Sequence, residues 1–180
     1  AVYRRVALSD VVLHGWDVRV EYPTRENPFP WRVAAGGAEL VVRTEGVSRP
    51  AQELAYSFAQ SPSFTLTAEL PMAMPPENLK KLVVSNHADR SWHEIWATVE
   101  LAGRTYKAVQ PAFLGTDRWQ DTTWQFASPD DRSIKMKTWL RLEEAGPSDF
   151  DAPNRVRLTL EYRSAPGLRA VWNKYINNYR

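Results

Sequence analysis

The residues best equipped for chemistry lie between Trp92 and Phe126. There the chain reads Trp92-His-Glu-Ile-Trp96-Ala-Thr-Val-Glu-Leu101, passes Ala102-Gly103-Arg104, and resumes as Thr105-Tyr-Lys-Ala-Val109. After a loop comes Trp119-Gln-Asp-Thr-Thr-Trp-Gln-Phe126. Trp92, Glu94 and Trp96 occupy even positions of the first run, opposite Ile95, Ala97, Val99 and Leu101. That is the two-residue period of a strand with one face in a core. Flat aromatic rings fringed by hydrogen-bonding groups stack on sugar rings or grip a partner protein. Trp92, Glu94, Trp96, Trp119 and Gln120 are therefore the candidate carbohydrate- or partner-binding residues, with Trp92 and Trp96 expected to be at least half exposed. The competing reading buries both rings beneath a second sheet or a neighbouring loop, because tryptophan is largely buried more often than not.

Hydrolytic chemistry finds less to work with. A glycosidase needs two carboxylates in one cleft, roughly 5 to 9.5 Å apart. Glu94 and Glu100 share a strand face but are separated by about 20 Å at strand rise. Glu94 meets Glu69 or Asp121 only through a strand pairing the sequence does not reveal. No Gly-x-Ser-x-Gly, His-Glu-x-x-His or phosphate-cradling glycine loop is present. The three histidines, His14, His87 and His93, are not at metal-ligand spacing. The expectation is a non-enzyme with no catalytic residues, no metal and no cofactor. Cysteine is absent, which excludes thiol chemistry and disulfides without assigning a compartment.

The elements that must position these residues are short alternating strands. Ala1–Leu8, Val11–Tyr22, Ala38–Thr44, Leu54–Ala59 and Ser63–Leu70 read as strands, followed by a stretch ending near Asn86. Ile134–Glu143 and Arg155–Tyr162 alternate after the central block. In Ser63–Leu70, Phe64, Leu66, Ala68 and Leu70 point one way and Ser63, Thr65, Thr67 and Glu69 the other. Pro, Gly and Asp punctuate the runs, including the decorated loop Tyr22–Trp31. At 180 residues, 43% hydrophobic and 24% charged, the pattern predicts an all-β fold, an antiparallel jelly-roll-like β-sandwich over residues 1–163. From Ser164 the period changes. Leu168, Val171, Trp172, Tyr175, Ile176 and Tyr179 form one stripe of an amphipathic helix over residues 164–180. That helix either packs on the sandwich or leads toward a membrane.

Charge and length narrow the partners. With 23 basic and 21 acidic residues, net +2 and well mixed, there is no basic stripe, so nucleic acid is not an expected partner. No apolar segment approaches the roughly 20 residues of a membrane span. There is no signal-peptide core, and the chain begins at Ala1. It reads as a piece of something larger.

Two resemblances add to this. In general character the aromatic, polar-fringed sandwich is similar to non-catalytic carbohydrate-binding modules. The C-terminal Trp172-Asn-Lys-Tyr-Ile-Asn-Asn-Tyr-Arg180 resembles the stretch before a membrane helix in sugar-type ABC transporter permeases, some of which carry an extracytoplasmic inserted domain. The second resemblance covers about ten residues. It implies a non-catalytic extracytoplasmic domain tethered to the cell membrane. Its partners would be the membrane-embedded remainder of the same protein and a solute-binding protein or sugar. Trp172, Tyr175 and Tyr179 would be membrane-proximal, with both ends of the domain on one side. The alternatives are a carbohydrate-binding module of a polysaccharide-degrading system and a jelly-roll glycan-active enzyme.

Overall fold

A computed structural model of the protein describes residues 4–24, 29–46, 49–126 and 140–165. The described residues are almost entirely strands. These are β1 (Arg4–Gly15), β2 (Arg19–Tyr22), β3 (Arg32–Ala35), β4 (Ala38–Arg43), β5 (Ala51–Tyr56), β6 (Ser63–Pro71) and β7 (Leu79–His87). They continue as β8 (Glu94–Leu101), β9 (Arg104–Ala108), β10 (Ala112–Phe113), β11 (Trp119–Phe126), β12 (Leu140–Pro147) and β13 (Arg155–Arg163). The 3₁₀ turn Pro76–Asn78 is the only helical segment among the described residues. None of their helices is long and apolar enough to cross a membrane.

Alternation places the core where the sequence predicts it. Phe64, Leu66, Ala68 and Leu70 of β6, Ile95, Ala97, Val99 and Leu101 of β8, and Val156, Leu158, Leu160 and Tyr162 of β13 are all buried in one continuous cluster. Removing such apolar surface from water contributes about 25 cal/mol per Å². In β1 the inward positions are Val6 and Leu8, then Val11 and Leu13, because a bulge between Leu8 and Val11 shifts the phase. The chain therefore continues through Ser9-Asp10, where a break between two strands is expected, and begins its second strand, β2, only at Arg19. It turns at Trp16-Asp17, leaving Trp16 68% exposed beneath Lys80.

The expected pair of packed antiparallel sheets is not what the hydrogen bonds draw. The strands form one continuous sheet in the order β3-β6-β13-β8-β9-β12-β11-β7-β1-β5-β4, with β10 on β8 and β2 on β1. β9 pairs with β8 on one side and β12 on the other, so it bridges the gap that would separate two sheets. β11 and β12 run parallel and every other pair is antiparallel, giving a mixed sheet. The two end strands, β3 and β4, are joined by the Gly36-Gly37 turn and approach one another without pairing. The sheet thus curls almost into a barrel. The predicted helix over 164–180, with Trp172, Tyr175 and Tyr179, lies outside the described residues, as does the first part of the Ile134–Glu143 run.

Candidate functional site

Trp92 and Trp96, expected on one strand face, are held by different pieces of backbone. β8 begins only at Glu94. Trp92 stands in the corner before it with φ of 61°, a left-handed conformation that bulky residues rarely adopt. Its N–H donates to the Leu114 carbonyl at 3.1 Å. Its indole lies on Gly115, where a Cβ would come within 3.1 Å of the ring, and 6.1 Å from the Phe113 ring. Trp96 is on β8, opposite Glu161, and Glu94 is opposite Arg163. Its Nε1 donates to Glu94 Oε1 at 3.0 Å, and the Arg163 guanidinium covers its ring at 4.7 Å. Both indoles are only partly exposed, less than the platform reading expects. A loop covers one and an arginine the other.

Trp119 and Gln120 separate because neighbouring strand residues point to opposite faces. Gln120 Nε2 donates to the Phe113 carbonyl at 3.1 Å, and its Oε1 accepts from Thr116 Oγ1 at 2.8 Å. Gln120 therefore braces the loop on which Trp92 rests. Trp119 belongs elsewhere. Strand register sets it in one row with His87, Ala7 and Glu53 across β11, β7, β1 and β5. Arg5 of β1, Arg43 of β4 and Arg49 of the following loop complete a cleft of about 310 Å³. Glu53 Oε2 is 3.2 Å from Arg43 Nη2 and 4.0 Å from Arg5 Nη1. The Arg49 guanidinium sits 4.7 Å over the Trp119 ring, and its Nη1 donates to the buried Ser9 Oγ at 3.3 Å. The His87 ring meets the Trp119 ring edge-on at 5.6 Å. Of the five predicted binding residues, Trp119 alone lines this cleft. Its other polar lining is drawn from four strands and a loop, brought together by strand register and the course of that loop.

The carboxylates divide in the same way. Glu69, Arg157 and Glu100 form a row across β6, β13 and β8. Arg157 donates to both oxygens of Glu100, at 2.9 and 2.8 Å, and lies 3.8 Å from Glu69. The two acids meet with a guanidinium between them. The Arg157 hydrogen bonds, with help from Ser148 and against the effect of burial, hold the Glu100 carboxyl below the usual range. Such a group carries no proton to donate near neutrality. Asp121 accepts from Ser85 Oγ at 2.6 Å. Among the described residues no three His, Asp or Glu side chains cluster as metal ligands.

A second cleft gathers the ends of the described chain. Arg4 and Ser164 line it together with Tyr56, Phe58 and His93. The Ser164 N–H donates to the Pro62 carbonyl at 2.9 Å, and the Ala165 N–H donates to His93 Nδ1 at 3.1 Å. An N–H donor needs a lone pair on Nδ1, so His93 is neutral in this contact. Burial pushes its pKa down, Arg4 adds to that, and Asp89 opposes it. No protein-family model, curated protein or solved structure matches the chain.

Proposed function

We propose that this chain is a non-catalytic extracytoplasmic domain of a membrane transport protein, inserted in a sugar-type ABC permease and binding a solute-binding protein or a carbohydrate. The supporting observation is that Arg4 and Ser164 line one cleft. A domain inserted in a membrane protein receives its chain from one surface and returns it there. Trp172, Tyr175 and Tyr179, which lie outside the described residues, would supply interfacial rings at that boundary. We read the near-closed sheet as a flattened, sandwich-like barrel. A single apolar core fills it, whereas barrels much wider than eight strands enclose a channel or cavity unless they flatten.

The chain has no cysteine, so one introduced thiol reports its location. Ala145 is exposed on β12. In the intact parent protein, Ala145→Cys should react with a membrane-impermeant maleimide on whole cells, and the unsubstituted domain should not. Labelling that requires permeabilised cells would overturn the proposal. The carbohydrate-binding-module reading is supported by a different observation, an indole and polar groups converging in the Trp119 cleft.

A further inference from the structure

We propose that the cleft formed by Arg5, Arg43, Arg49, Glu53, His87 and Trp119 binds an anionic sugar, a monosaccharide-sized unit carrying a carboxylate or phosphate. Charge is the first reason. Three guanidinium groups face a single carboxylate, and among the described residues no other acidic side chain lines the cleft. Glu53 engages Arg43 closely at 3.2 Å and Arg5 only at 4.0 Å, while Arg49 has no acidic contact there and bonds Ser9. A guanidinium presents paired N–H donors that match a carboxylate or phosphate in two parallel hydrogen bonds.

The acceptors are the second reason. Glu53 accepts hydrogen bonds and donates none. His87 Nδ1 lies 3.1 Å from the Ala88 carbonyl oxygen. A carbonyl only accepts, so Nδ1 carries a proton in this contact, and in that tautomer Nε2 holds the ring's free lone pair. Acceptors beside cations suit a ligand with both hydroxyl groups and negative charge. Size and shape are the third reason. About 310 Å³ falls at the lower end of the roughly 300–1,000 Å³ of small-molecule sites, and Trp119 adds an apolar surface. A bare inorganic anion would leave the indole and the acceptors unused. A neutral sugar would leave the excess positive charge unanswered.

The inference rests on the chain being a binding domain, and is independent of tethering and transport. Its test titrates the 180-residue chain with galacturonate, galactose 1-phosphate, galactose, acetate and inorganic phosphate, following tryptophan fluorescence and heat. At least one anionic sugar should bind about tenfold or more tightly than galactose or either bare anion, and weaken as salt is added. The tighter of the two identifies the anionic group. Arg43→Gln and Arg49→Gln should each weaken binding by about tenfold, and Trp119→Ala should abolish the fluorescence response. Both arginines are exposed, so an unchanged melting temperature is expected and can be checked. Equal affinity for galactose, competition by acetate or phosphate at the sugar's own concentration, unimpaired arginine variants, or no binding at all would each overturn it. None of these outcomes bears on the maleimide experiment, which fails or succeeds separately.

Discussion

His93 holds the outgoing chain through the ring nitrogen that accepts the Ala165 amide. Protonating that nitrogen removes the acceptor, and burial already disfavours the charged ring. The folded state thus takes up a proton less readily than the unfolded chain, whose histidines titrate near pH 6.5. Stability from this site is complete above that value. It falls as pH drops through it and levels off below the depressed folded value. His14 is lowered as well, chiefly by burial, and contributes with the same sign. Urea midpoints at about pH 7.5 and 5.5 should therefore differ more for the wild type than for His93→Gln. Equal differences would mean that His93 does not carry the effect. At this scale the sequence reveals residue types but not environments. Trp92 and Trp96 are conspicuous as aromatics, yet nothing in their spacing tells that one takes a left-handed corner and the other lies under Arg163. Apart from Trp119 itself, the polar groups of the Trp119 cleft carry no local signal, since strand register and one loop bring them together.

The elements were most legible where a strand pairs on both sides and keeps one face in the core. β6, β8 and β13 meet that condition, and their apolar sides are the predicted ones. β1 was harder to read because its bulge breaks the two-residue period. The parallel β11–β12 pairing was not readable, because a strand's own alternation does not record which neighbour it pairs with or in which direction. The β8–β9 connection was legible as a turn, and the structure adds its type. Ala102 and Gly103 have φ of 51° and 75° between the paired Leu101 and Arg104. Both central residues are left-handed, as in a type I′ hairpin. Alanine is strained there, whereas asparagine adopts this conformation readily. Ala102→Asn should raise stability by roughly 0.5–1 kcal/mol, seen as a higher thermal midpoint. An unchanged or lower midpoint would contradict the strain at this turn.

For the whole molecule, the all-β class was legible from alternation and the closure of the sheet was not. Closure depends on β9 joining two neighbours and on the Gly36-Gly37 corner bringing β3 beside β4. Gly36 has φ of 93°, and a Cβ there would come within 2.5 Å of the Phe64 Cβ, so the corner requires glycine. Yet the two strands it connects share no ladder. The break in the ring is thus crossed by the turn and by side chains packed on the core, with no ladder, while Arg4 and Ser164 line one cleft. The polypeptide can therefore be re-threaded. A circular permutant with its original ends linked and new ends opened between Gly36 and Gly37 would keep every strand pairing. Near the cut it would forfeit only the Ala38 N–H to Gly36 carbonyl contact of 3.2 Å. It should show the parent's near-ultraviolet circular dichroism and melt cooperatively within a few degrees of it. A permutant that folds without that aromatic signature would mean that the corner, and not the ladder, sets the geometry of the interior.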